Sequence, residues 1–345
     1  MENVPIKLLL MINLLVQCVS VFGLYDLEDM AHECVIAVKQ IQLSEYPYAF
    51  NPSIVRWKDL LLMSFRIIPD PKYSFNSELG LVCLNEQFEV IRKPQLLAIR
   101  DEYAHAPCRA EDGRLIVVGE RLFLVYSDNE DIFVSRGGFR LYIGEIRFDG
   151  ERFTIHNIQR MTSFPGNDIR KREKNWVPFV YDGQLLLSYS LSPHVVLKPQ
   201  AGIDGAELFS QTADEISWDW GELRGGTPAV LEGDHYLSFF HSGKYMKTAH
   251  SKGQEMLHYF MGAYLFSAEP PFKITHISKE PLVGKEFYHG PLYKPYWHPV
   301  VVVFPGGLLS DDDFIGVVYG RQDHELWIVK LDKKKLYSSL IPVVE

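Results

Sequence analysis

The sequence predicts an all-β protein, a five-bladed β-propeller, and three observations lead there. One local pattern returns five times along the 345 residues: a polar or charged entry, a short apolar strand, a Gly/Asp turn and a second apolar strand ending in Tyr, Phe or Arg. The turns suit tight reversals between extended segments. The flanking Val, Leu, Ile, Tyr and Phe residues alternate or run continuously, with little sustained helical periodicity.

The five copies are NPSIVRWKDLLLMSFR from Asn51, AEDGRLIVVGERLFLVYSD from Ala110, EKNWVPFVYDGQLLLSYS from Glu173, GGTPAVLEGDHYLSFFHSG from Gly225, and HPVVVVFPGGLLSDDDFIGVVYGRQD from His298. Matching positions 51, 112, 175, 227 and 298 gives spacings of 61, 63, 52 and 71 residues. About four strands fill each interval, and radial packing of such sheets is a propeller. Asp182-Gly183, Gly233-Asp234 and Gly119-Glu120 supply the turns, while Gly138, Gly144 and Gly150 interrupt the outer strands of one unit. A β-sandwich would lack the recurrence, and a TIM barrel would need long alternating helices. One helix candidate stands almost alone, DLEDMAHECVIAVKQI from Asp26.

Residues 1–23 read as a signal peptide or signal anchor: Lys7 precedes an uncharged stretch from Leu8 to Tyr25. The expectation is a chain in the secretory pathway or exported, with membrane anchorage only if the leader stays uncleaved. Residues 24–345 then form a single propeller domain with an N-terminal extension, whose ends pack together to close the ring. Cleavage would leave Cys34, Cys83 and Cys108, enough for one disulfide and an odd thiol.

A formal charge of −9, from 35 basic and 44 acidic residues, argues against a nucleic-acid partner. Dinucleotide, P-loop, HExxH, CxxC and GxSxG motifs are all missing. The scattered histidines, His289 and His298 among them, and the Asp311-Asp312-Asp313 turn predict no metal site.

In a propeller the inner-strand entries converge on a central channel. That places Asn51, Glu111-Asp112, Lys174-Asn175 and Thr227-Pro228 together, with Arg114, Arg224, His241 and Asp323 on nearby blade features. Carboxylates, cations and aromatics in one pocket suit a hydroxyl-rich ligand carrying a negative group. AEDGRLIV resembles the Glu-Asp-Pro-Arg element of glycoside hydrolase family 130, with Gly113 in place of proline. VVFPGGLLSDDDFIGVVYGRQD, NPSIV and RGGTPAV resemble that family's last, first and fourth blades, over roughly residues 45 to 330. The family acts on β-mannosides as phosphorylases and hydrolases, beside a related β-1,2-mannosyltransferase/phosphorylase group.

The resemblance implies that Asp112 is the general acid of an inverting reaction, directly or through a sugar hydroxyl. It implies Lys174 and Arg224 as anion-binding cations, with Arg160 a weaker third, and inorganic phosphate as co-substrate without any other cofactor. Asp323 resembles the acidic residue that contacts the sugar. Glu111 either orients a sugar hydroxyl, shapes the surroundings of Asp112 or pairs with Arg114. Arg114 is either a ligand-facing cation or one that holds the acidic loop. Asn175 and Trp176 suit sugar hydroxyls and an apolar sugar face, against turn bonding and core packing. His194 and His241, at the ends of second strands, are either ligand contacts or structural histidines. The basic run Arg170, Lys171, Arg172, Lys174 reads mainly as solvated surface.

The leading expectation is a β-mannoside phosphorylase acting on oligosaccharides. Transfer from a sugar nucleotide, hydrolysis by an inverting β-mannosidase, and a non-catalytic glycan-binding propeller are the alternatives.

Overall fold

A computed structural model describes residues 24–100, 108–129, 138–168, 171–290 and 300–343. The apolar leader, Arg170 and His298 lie outside the described residues. Five antiparallel sheets stand in a ring, the arrangement of a five-bladed β-propeller. Blade one runs outward through Phe50–Trp57, Leu60–Ile67, Glu78–Leu84 and Gln95–Leu96. Blade two uses Glu111–Val118, Arg121–Asn129, Phe139–Phe148 and Phe153–Met161, and blade three Val177–Tyr181, Gln184–Leu191, His194–Pro199 and Ala206–Gln211.

The expected turns join the two innermost strands of blades two and three. Asp182 and Gly183 both take left-handed φ, 47° and 68°, between the paired residues Tyr181 and Gln184. That is the twist a two-residue hairpin needs. Gly144 differs from expectation: it lies inside Phe139–Phe148, where any Cβ would fall 2.4 Å from the Ile155 side chain. It is a packing glycine rather than a strand break.

Blade four has a broken inner strand, Arg224–Gly225 and Val230–Glu232, because Pro228 has no N–H to offer the ladder. Its remaining strands are His235–Met246, Met256–Ser267 and Ile274–Ser278. Blade five holds Val303–Ser310, Phe314–Arg321 and Glu325–Asp332, and its outermost strand is Val35–Ile41 from the other end of the chain. Only Leu27–Met30 of the helix candidate is helical, as a short 3-10 turn. The β-branched run from Val35 is a strand because Glu325–Asp332 offers it an open sheet edge. After the helix Lys333–Ser339, Leu340–Pro342 pairs with Ile274–Ser278, so both chain ends are tied into blades.

Adjacent strand residues point to opposite faces, and here the two faces feed different cores. Leu115 packs with blade one and Ile116 with blade three; Phe239 faces blade five and Phe240 blade three. Five apolar clusters result, one at each blade-to-blade interface. Cys34, Cys83 and Cys108 are free thiols, and burial pushes both Cys34 and Cys108 up to about 12. The single disulfide that three cysteines allow is therefore not formed.

Phe179 is fully buried between blades three and four, edge-on to Tyr236, Phe266 and Phe272 at 5.1 to 5.3 Å. Phe179→Ala is expected to lower the unfolding free energy by about 3–5 kcal/mol, measured by urea denaturation. A loss below about 1 kcal/mol would mean the interface repacks freely.

Candidate functional site

The inner strands begin with a repeated backbone distortion. Asn51, Asp112 and Asn175 occupy the same position in blades one, two and three, and each has left-handed φ: 48°, 55° and 64°. Pairing skips at Phe50/Ser53 and Glu111/Arg114, so each of those two strands carries a bulge. Asn and Asp tolerate this conformation better than most side chains. Asp323, φ 53°, lies in the turn that joins Arg321 and Glu325 of blade five.

These entries open into one cavity of about 850 Å³. Eight expected residues line it: Asn51, Glu111, Asp112, Lys174, Asn175, Arg224, His241 and Asp323. The Asp112 side chain is only 11% exposed. Its Oδ1 accepts from Asn51 Nδ2 at 2.8 Å and lies 3.4 Å from Arg66 Nη1. Burial works to raise the Asp112 carboxyl. The charges of Arg66, Lys174 and Arg114 and the Asn51 hydrogen bond outweigh it and hold the group below the ordinary carboxylate range.

Arg66 is the principal residue that sequence reasoning missed. It ends the second strand of blade one, donates to Glu111 Oε1 at 2.8 Å, and is nearly buried. The recurring pattern of second strands ending in Tyr, Phe or Arg was its only signal. Glu111 also accepts from Lys174, so its two oxygens bind two different cations, and neither is Arg114. Arg114 lies beneath the cavity wall and holds the loops instead. It donates to the carbonyls of Gly226 and Asp112 and to Asn175 Oδ1. Burial lowers its guanidinium to about 10, which leaves it charged at neutral pH.

Lys174 also sits over the Phe139 ring, 3.7 Å from its centroid. Arg224 is half exposed and pairs with Glu222 at 2.9 Å on the cavity wall. Arg109 and Arg172 line the cavity too, each three residues before a residue of left-handed φ, Asp112 and Asn175 respectively. Arg172 is exposed, as the reading of solvated surface expects, and it lines the cavity as well. His241 packs against Tyr259 and Phe304, ring centroids 5.6 and 4.6 Å away. Burial, with Arg114 and Arg224 nearby, lowers it to about 3. It enters the site as a neutral imidazole, able to hydrogen-bond but not to add charge.

Besides Arg114, three expected residues lie off the cavity lining. Trp176 is fully buried, edge-on to Phe164 and Tyr189 at 5.0 Å, and meets the cavity only by backing Tyr189. His194 is likewise buried; its ring nitrogens meet Ser188 Oγ and the Phe272 carbonyl, and burial lowers it to about 4. Arg160 belongs to the outermost strand of blade two, where its N–H is donated to Asp204. Core packing takes the first two, and radial distance removes the third.

The folded value of Asp112 lies below its ordinary one, so its charge stabilises the fold above about pH 3.9 and that contribution fades as pH falls toward the folded value. Asp112→Asn removes the titration. The stability gap between wild type and D112N is expected to hold from about pH 7 to pH 5 and to narrow below about pH 4. Urea denaturation across that range measures it, and a gap unchanged down to about pH 2 would exclude a depressed Asp112.

No protein-family model and no curated protein sequence matches the chain. Solved structures do match in fold. A structure described with the family 130 mannoside phosphorylases and hydrolases that target β-1,2-mannosidic linkages in Candida mannan aligns at TM-score 0.60 and 16% identity, over 90% of this chain and 97% of the other. The β-1,2-mannobiose phosphorylase of Listeria innocua, bound to β-1,2-mannobiose, aligns at 0.57 and 14%, over 89% and 93%. A mannose phosphorylase of Leishmania mexicana, bound to phosphate, aligns at 0.55 and 13%, over 90% and 92%. The chain shares the five-bladed fold of these family 130 enzymes along nearly its whole length.

Proposed function

We propose that this protein is an inverting β-mannoside phosphorylase, and one observation carries the reading. A nearly enclosed carboxyl, Asp112, shares a polar cavity with Arg66 and Lys174, while Arg224 lies on the same wall. A proton donor and an oxyanion holder are the two groups that phosphorolysis requires. Asp112 delivers the proton to the departing glycosidic oxygen, and Lys174 and Arg224 hold the attacking phosphate on the opposite face of the sugar. Asn51, Asn175 and Asp323 supply hydrogen bonds to sugar hydroxyls. The fold shared with two phosphorylases, one bound to β-1,2-mannobiose and one to phosphate, supports the same choice.

Hydrolysis would need a second carboxylate free to take a proton from water. Glu111 is held by Arg66 and Lys174, and Glu222 by Arg224. Glu173 is buried away from the cavity lining. The cations that would assist phosphate thus engage Glu111 and Glu222, while Asp323, on the cavity lining, is the carboxylate assigned to the sugar.

The reaction balances without another reactant. Hydrogen phosphate attacks the anomeric carbon as the glycosidic C–O bond breaks, Asp112 protonates the departing oxygen, and the proton released by phosphate returns to Asp112, leaving α-mannose 1-phosphate and a free hydroxyl. The purified protein incubated with β-1,2-mannobiose is expected to form α-mannose 1-phosphate only when phosphate is present. Asp112→Asn should slow this by about 10²–10⁴-fold, and Lys174→Ala should raise the phosphate KM. Equal release of free mannose with and without phosphate would assign hydrolysis instead. Chain growth from a sugar nucleotide without phosphorolysis would assign transfer, and binding without any product would assign a glycan-binding propeller.

A further inference from the structure

Away from the cavity, four potential metal ligands from three distant parts of the chain meet beside the N-terminal segment. Asp26 caps the 3-10 turn Leu27–Met30 and Glu28 lies within it, His250 lies in the long hairpin of blade four, and His289 lies on the chain leading to blade five. One ligand atom from each of Glu28, His250 and His289 lies within 4.8 Å of the other two. His250 Nε2 is also 2.8 Å from Asp26 Oδ1, and His289 Nδ1 is 2.6 Å from Glu28 Oε2. The two imidazole rings stand edge to face with centroids 5.0 Å apart.

Two further features point to a ligand. Glu28 is already aimed: its oxygens accept the backbone N–H groups of Glu286, Tyr288 and His289 at 2.8 to 3.0 Å. Such supporting bonds commonly orient a ligating carboxylate. His250 Nε2 faces conflicting demands, because it also lies 3.2 Å from the N–H of Leu27. A proton on Nε2 satisfies Asp26 and opposes Leu27; a lone pair there satisfies Leu27 and opposes the Asp26 carboxylate. No protonation state of the ring serves both neighbours. A cation between Nε2 and Asp26 lets the one lone pair and the carboxylate face the same positive charge, giving up the longer 3.2 Å contact from Leu27 N–H.

We propose that Glu28, His250 and His289, with Asp26 as the fourth donor, form a structural zinc site that clasps the N-terminal segment onto blades four and five. Two imidazole nitrogens and two carboxylate oxygens make a tetrahedral zinc set, whereas calcium and magnesium favour oxygen alone. At metal–ligand lengths of about 2.0–2.2 Å, neighbouring donors sit about 3.4 Å apart. The present 2.6 and 2.8 Å contacts need open by less than 1 Å, roughly, to reach that spacing. His289 is 57% exposed and gives the ion a way in, while Glu28 and His250 close the inner side.

The test uses untagged full-length protein stripped with a chelator. Calorimetric titration with zinc chloride is expected to show one ion per chain. Zinc at a hundredfold excess over its Kd should raise Tm by about 4 °C, and cobalt in its place should give the visible bands of a tetrahedral centre. His289→Ala, at an exposed position, should fold while losing the zinc-dependent rise, and Glu28→Gln should weaken zinc binding at least tenfold. No bound zinc, or the same Tm response in wild type and H289A, would leave two ion pairs and overturn the site. Because the readouts are binding and stability, neither outcome depends on the proposed reaction.

Discussion

Arg66, Lys174, Glu111 and Asp112 are held together where water is largely excluded, and the cavity depends on their mutual neutralisation. Each charge alone would be costly to bury, and each carboxylate has a cation within reach. The group spans three blades: Arg66 comes from blade one, Glu111 and Asp112 from blade two, Lys174 from the entry to blade three. Arg114 extends the joint from below, binding the Asp112 carbonyl of its own blade, Asn175 at the entry to blade three and the Gly226 carbonyl of blade four. The electrostatics of the site are therefore also a joint between blades, and chemistry and assembly cannot be tuned separately.

The ring makes that joint possible. Each inner strand sends alternate residues into two neighbouring clusters, so its position is fixed from both sides. The strand entries then have little freedom in how they meet at the channel. Closing the ring with a strand from the other end of the chain adds a constraint that local hairpins lack. It also explains why residues 35–41 are extended despite a helix-compatible start: the sheet edge of blade five outweighs local propensity.

Much of this was legible in sequence because the repeat is geometric. Spacings of 61 and 63 residues bring Asn51, Asp112 and Asn175 into register, and the same three residues take left-handed φ. Asp182-Gly183 announced a hairpin for the same kind of reason. Side-chain direction was less accessible. Trp176 directly follows a cavity residue, yet the strand pleat turns it into the core. His194 ends up behind Ser188, and Arg160 is separated from the axis by the whole width of its blade. Arg66 escaped notice because strand-terminal arginines are ordinary until the facing carboxylates are known. The Asp26, Glu28, His250 and His289 cluster joins positions over 200 residues apart, and no local motif marks such a meeting.

A depressed Asp112 carboxyl runs against its proposed role, since a general acid must carry a proton. The source of the depression resolves the conflict. Burial favours the neutral acid, and only the surrounding cations reverse that preference. In the proposed reaction, phosphate held by Lys174 and Arg224 would place negative charge beside Lys174, one of those cations, and cancel part of its field. The burial effect then gains weight, and the Asp112 carboxyl rises toward a donor's range. Linkage makes the coupling reciprocal: whatever phosphate does to protonation of Asp112, protonation does to phosphate affinity. On the proposed reading the acid would be armed by the co-substrate that its reaction consumes, while in the empty cavity the surrounding cations hold it low. Water brings no such charge, so it would leave Asp112 ionised and ill suited to expel the same leaving group.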